Sequence, residues 1–207
     1  MDALRDSMPT LIMMHGMTGD ASMMRPFAQK VCPEGWTLLV PQARYPHPTR
    51  GFTWWRYEDF GADVTRRLNL SRVELVDVDA SLSQLEQLIA QEAPMGPLVV
   101  GGFSQGGAMA QEMLQLPIAD RIQGVICMGT RLVRPMELRL RLGELENKRL
   151  FWMHGEKDIR VPIEDGWAVA HLFESAGWAV ELVEHPKGHM IPLEHHDALK
   201  EWLLTFS

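Results

Sequence analysis

A parallel α/β fold, with about six mainly parallel strands and helices on both faces of the sheet, is what this sequence of 207 residues predicts. Two observations carry the prediction. Short β-rich apolar runs alternate with longer helical patterns along the chain, an order that builds right-handed strand–helix–strand crossovers. The runs are also apolar on successive residues with little alternation, as strands are when both faces of the sheet are covered.

The strand segments are TLIMMHG (Thr10–Gly16), TLLVPQ (Thr37–Gln42), PLVVGGF (Pro97–Phe103), GVICMGT (Gly124–Thr130), RLFWMHG (Arg149–Gly155) and AVELVEH (Ala179–His185). Between them the helical segments are Asp20–Val31, Ser71–Ala93, Gln105–Leu116, Pro135–Glu146 and Pro162–Gly177, and Pro192–Phe206 closes the chain. Residues 131–148 leave room for no more than a short helical cover, so no large cap domain is expected. There is no repeat, low-complexity tract or linker, and residues 1–207 read as one domain. Ala43–Leu70 alone lacks periodicity; a loop that long is usually functional, and its aromatic content argues for order.

Composition narrows the class. With 46% hydrophobic and 23% charged residues the chain reads as an ordinary globular protein. A net charge of −7 argues against nucleic acid or anionic membrane as a general partner, since both demand a basic face. The basic stretch RLVRPMELRLRL alternates with leucines and reads as the solvated side of an amphipathic segment. No run reaches the ~20 apolar residues of a membrane span, so stable membrane insertion is not expected. The N-terminus lacks an apolar signal core, and a cytoplasmic location is expected. Two cysteines, Cys32 and Cys127, make neither a disulfide framework nor a zinc site.

In parallel sheets ligands bind beyond the carboxyl ends of the strands. There, Gly102-Phe103-Ser104-Gln105-Gly106 matches G-x-S-x-G between a strand and a helix. The tight turn strains the serine backbone, needs small residues two before and two after, and lifts the hydroxyl to the helix N-terminus. The plainer reading is a glycine-rich turn or a phosphate-binding loop. A serine nucleophile needs a base and an orienting acid, which in this architecture follow in the order acid, then histidine. Asp158 fits the acid because it lies in the loop beyond a strand, whereas Glu156 is closer to the strand and is expected to face solvent or a turn. His189, in a Gly-His pair before the last helix, fits the base; His185 lies at the strand end, and His171, His195 and His196 fall in helices. Pro186 and Gly188 break the helix that a His185–His189 metal pair would require, so no metal or cofactor is expected. Backbone N–H groups of Gln105 and Met17 are the expected donors to an oxyanion.

HGMTGD, GFSQGG, HGEKDIRVP and Gly188-His189, in this order, resemble the alpha/beta-hydrolase superfamily, and within it the small carboxylesterase/phospholipase family that includes acyl-protein thioesterases. The resemblance covers nearly the whole chain. It implies Ser104 as nucleophile, Asp158 as acid, His189 as base, and Met17 with Gln105 as oxyanion hole. Two departures stand out: the first loop has Met17-Thr18 where the family commonly has Leu-Gly, and TWWRYED carries a second tryptophan followed by Arg56. Ser104 argues against the dienelactone type of hydrolase, which has cysteine at that point.

Phe52, Trp54 and Trp55, with Met17 and Phe103, are candidates to wall an acyl or aryl pocket; core packing is the alternative for the tryptophans. For Arg56 the readings are a pair with a substrate anion or a salt bridge to Glu58 or Asp59, of which the salt bridge is the expectation. The expected activity is hydrolysis of carboxylic esters, or thioesters, through an acyl-enzyme on Ser104. A peptidase or amidase on the same residues, or a non-catalytic ligand-binding relative, are the alternatives. The partner is then a small-molecule ester or thioester, and since the family includes dimers, the resemblance admits a homodimer.

Overall fold

A strand that is apolar at every position points side chains to both sides of its sheet and needs two hydrophobic layers. The computed structural model supplies both; it describes residues 8–57, 69–146 and 148–206. In chain order the elements are β1 (Thr10–Met14), α1 (Ala21–Val31), β2 (Thr37–Leu39), β3 (Tyr45–Pro46), β4 (Phe52–Thr53), α2 (Arg72–Glu92), β5 (Leu98–Phe103), α3 (Gln105–Glu112), β6 (Ile122–Met128), α4 (Pro135–Glu144), β7 (Arg149–Gly155), α5 (Ile163–Ser175), β8 (Ala179–His185) and α6 (His196–Leu204). Six strands form one sheet in the order β2-β1-β5-β6-β7-β8, every neighbouring pair parallel. This is the predicted architecture, and among the described residues α4 is the only helix between β6 and β7.

Successive side chains of one strand feed opposite cores. Ile12, Val100, Val125, Cys127, Leu150 and Trp152 face the layer that α2 to α5 cover. Leu11, Met13, Val99, Ile126, Phe151 and Met153 face a second layer shared with α1 and α6. Helix starts follow local chemistry. Ser71 and Glu74 form a reciprocal capping box ahead of α2, with Ser71 N–H donating to Glu74 Oε2 at 2.7 Å. Asp20 caps α1 by accepting from the Met23 N–H at 2.8 Å.

Four details differ from expectation. β1 stops at Met14 and β6 at Met128, so His15-Gly16 and Gly129-Thr130 lie beyond the strands. α3 ends at Glu112 and tightens into a single 3-10 turn, Met113–Gln115, while a 3-10 turn at Leu193–His195 precedes α6. β2 and β8 are sheet edges, so they are not covered on both faces: Thr37, Ala179, Glu181, Leu182 and Glu184 are exposed. The aperiodic stretch contains the two-residue strands β3 and β4, paired antiparallel, and Phe52 bridges onward to Gly19. Residues 58–68 of that stretch lie outside the described residues.

Strand order reverses between β1 and β5. Loops leaving these neighbours diverge to opposite sides and leave a crevice at their carboxyl ends.

Candidate active site

Ser104 occupies the turn from β5 into α3 at φ 54° and ψ −119°, a conformation that side chains disfavour. Its N–H donates to Met128 O of β6 at 2.8 Å, pinning the turn to the next strand. Glycines flank it for steric reasons. A Cβ on Gly102 would lie 2.5 Å from Met14 O, and one on Gly106 would overlap the same carbonyl. The Ser104 hydroxyl does not cap α3, so it is not consumed in holding the helix start. Ser104 and His189 line the same cavity, of about 370 Å³.

Asp158 and His189 meet from loops 31 residues apart: the His189 Nδ1–H donates to Asp158 Oδ2 at 2.6 Å. Asp158 Oδ1 accepts the N–H groups of Arg160 and Val161, both at 2.9 Å. Burial pushes this carboxyl up, but the bonds from His189 and the two backbone groups outweigh it and hold Asp158 below the ordinary aspartate value. The carboxylate is therefore ionised and directionally fixed. With Nδ1 engaged, Nε2 is the His189 nitrogen left for the cavity, and the ring packs against Phe103 at 4.6 Å between centroids. Glu156 is exposed in the turn after β7, with its N–H donating to His185 O.

The loop after β1 is held rigidly. His15 Nε2 accepts the Ala43 N–H at 3.1 Å and lies 3.1 Å from Gln42 Nε2, while Nδ1 lies 2.8 Å from Gly16 O. Those partners require a neutral ring protonated on Nδ1, and burial lowers its pKa to match. Thr18 N–H donates to Phe52 O and Gly19 N–H to Gly16 O. The Met17 N–H, just before Thr18, and that of Gln105 at the start of α3 find no acceptor among the described residues. Both residues line the cavity.

The aromatic candidates divide. Trp55 and Phe103 line the cavity with Met17. Trp54 does not: it is buried in the core, where its Nε1–H donates to His15 O at 2.8 Å and its ring packs beside His15. Phe52 is also absent from the lining, because β4 commits its backbone to Thr18 and Gly19 and its ring packs on the core. Both are corrections to the pocket reading. Arg56 does make a salt bridge, a bidentate pair with Asp77 of α2, Nε to Oδ2 and NH2 to Oδ1 each at 2.8 Å, and it stacks on Tyr45. Glu58 and Asp59, the partners expected for it, lie outside the described residues.

Sequence reasoning assigned nothing to several groups that support the site. The Gln105 side chain is buried, and its Oε1 accepts Thr53 Oγ1 at 2.8 Å and Trp54 N–H at 3.0 Å, tying the elbow to β4. Fully buried His154 has Nε2 2.9 Å from Val161 O and 3.5 Å from Asp158 Oδ2, the oxygen that His189 also engages. Burial keeps that imidazole neutral by lowering its pKa. His154 at a strand end was visible in the sequence; its partner Val161, seven residues on, was not.

Comparison with known proteins agrees with this architecture. Acyl-protein thioesterase 1 of Neurospora crassa is 28% identical over 159 residues, which are 71% of this chain and 63% of that protein. The protein of that name from Gibberella zeae is 27% identical over 158 residues, 72% of this chain and 66% of the relative. The chain thus spans less than two thirds of the length of these curated relatives. Among solved structures, esterase PE8 superposes with a TM-score of 0.80 at 21% identity, covering 97% of this chain and 94% of the other. Zea mays acyl-protein thioesterase 2 gives 0.75 at 18% identity over 96% and 94%. Both share the fold. Residues 3–207 match the family described as Phospholipase/Carboxylesterase. With an alpha/beta-hydrolase sheet, a serine elbow and that match over nearly its whole length, the chain belongs to the phospholipase/carboxylesterase family.

Proposed function

We propose that the protein is a serine hydrolase that cleaves carboxylic esters, including thioesters, through an acyl-enzyme on Ser104. The observation that carries this reading is the 2.6 Å bond between His189 and Asp158 in a pair whose histidine shares one cavity with the strained Ser104. Names of the relatives, thioesterases and an esterase, support the choice of ester chemistry.

The steps follow from the groups present. His189 Nε2 takes the proton of the Ser104 hydroxyl as the oxygen attacks the carbonyl carbon. Asp158 stabilises the imidazolium and fixes its tautomer. The N–H groups of Met17 and Gln105 receive the developing oxyanion, each contributing about 3 kcal/mol of transition-state stabilisation. His189 then protonates the leaving alcohol or thiol, and a water deprotonated by His189 releases the acid. Because Gly16 and Thr18 are locked in place, the Met17 donor needs no reorganisation during the reaction. No helix among the described residues is long and apolar enough to cross a membrane. We take the cytoplasm as the place of action, supported by two cysteines that remain unbridged.

Hydrolysis of p-nitrophenyl esters from acetate to dodecanoate, wild type beside Ser104→Ala, tests the reading together with fluorophosphonate labelling. Turnover and labelling by wild type, with neither in the variant, are expected. A folded wild type that is neither active nor labelled would overturn it.

A further inference from the structure

Among the described residues, the charged side chains that line the cavity are opposite in sign to the net charge of the molecule. The chain has 27 acidic and 20 basic residues, yet the described residues that line the cavity include Arg50, Arg131 and Arg160 and no aspartate or glutamate. They arrive from three separate loops: Arg50 from the β3–β4 turn, Arg131 after β6 and Arg160 after β7. Arg131 is largely buried and forms part of the wall. Arg50 and Arg160 are exposed, and neither guanidinium makes a hydrogen bond or ion pair among the described residues. Asp158, two residues earlier, binds Arg160 only through the backbone N–H and is already occupied by His189 and Val161.

Guanidinium groups stay charged at every working pH and present planar forks that match carboxylate or phosphate oxygens. Like charges gathered at one cavity repel each other unless an anion sits between them. We propose that the site takes esters whose acid or alcohol portion itself carries a carboxylate or phosphate, and that Arg50 and Arg160 bind this charge at the cavity mouth. The proposal rests on the ester-hydrolase reading and names its substrate class. Neither arginine takes part in the bond-making steps; both select and position the substrate.

Matched ester pairs test it. On the acid side, p-nitrophenyl hydrogen glutarate is compared with p-nitrophenyl valerate. On the alcohol side, p-acetoxybenzoate is compared with its methyl ester and with p-acetoxyphenyl phosphate. Wild type is expected to favour the charged member of at least one pair by about tenfold in kcat/KM, and to lose most of that preference in high salt. In Arg50→Gln/Arg160→Gln the charged-to-neutral ratio is expected to fall to about one. The pair that responds assigns the side of the ester bond and the kind of anion. A wild type without preference for any charged member, or a ratio that survives the double substitution, overturns the proposal.

Calorimetric binding of the same esters to Ser104→Ala, with and without the arginine substitutions, separates this proposal from the chemistry. Arginine-dependent binding of the charged ester without turnover or labelling in wild type would remove the hydrolase reading and leave the anion site standing. Turnover with equal, arginine-independent binding of both members would do the reverse.

Discussion

Asp158 uses its two oxygens for different tasks: Oδ1 receives the Arg160 and Val161 N–H groups and Oδ2 receives His189. An asparagine there can keep its oxygen on the backbone donors, but it then turns an N–H₂ toward His189 Nδ1. The ring must accept at Nδ1 and carry its proton on Nε2, where it is useless as a base. On the proposed chemistry Asp158→Asn lowers kcat by about 10⁴-fold while leaving the fold intact, which steady-state kinetics beside circular dichroism would check. A loss of less than tenfold would show that the carboxylate has no part in orienting the base. Chain order and strand-end placement point to Ser104, Asp158 and His189, because those are properties of sequence position, and the structure brings Ser104 and His189 to one cavity with Asp158 bonded to His189. Burial is not such a property. Trp54 and Trp55 are adjacent and chemically alike, yet only Trp55 borders the cavity, and nothing in the sequence distinguishes them.

Helix α3 begins beside Ser104 and ends at Glu112, whose carboxylate is buried without a hydrogen bond. Arg134 approaches it at 3.5 Å but is shared with Asp79 and with Leu75 O, and Glu137 and Asp79 add repulsion. Burial outweighs the arginine and pushes Glu112 up to about 7 from its ordinary 4.5. The folded protein then keeps a proton that the unfolded chain releases, so this group lowers stability progressively as pH rises from about 4.5 to about 7, with no further loss above that. Glu112→Gln is expected to gain on wild type over that window, by at most about 3 kcal/mol; urea midpoints of both proteins at pH 5 and pH 8 would show it. A difference that is constant with pH would refute the assignment. Among the elements, the central strands were plain in the sequence because burial on both faces leaves a continuous apolar run. β3 and β4 were not. Two-residue strands have no periodicity, and theirs is imposed by contact with the loop after β1. The Arg56–Asp77 pair escaped for the same reason, joining residues 21 positions apart on separate elements.

Across the whole molecule, four histidines are almost entirely buried: His15, His154, His185 and His196. Burial lowers the pKa of each below its ordinary 6.5. The unfolded chain therefore takes up protons below about pH 6.5 that the native state refuses, and stability falls as pH falls through that region. Glu112 works in the opposite direction between about 4.5 and 7, but it is one group against four. Urea midpoints are accordingly expected to drop between pH 7.5 and pH 5, and a midpoint that holds steady or rises would contradict the burial of these rings. The sheet they flank ends in β8, a seven-residue strand with one side unpaired among the described residues and with Glu181 and Glu184 exposed along it. Two copies pairing antiparallel about Leu182, the middle of this strand, would bring Glu181 of each diagonally beside Glu181 of the other. Like charges that near one another across a sheet repel, and charged residues are a known guard on open edges. The strand that completes the sheet thus also discourages a twelve-stranded continuation across two molecules, and an assembly of this protein would have to be built through some other face.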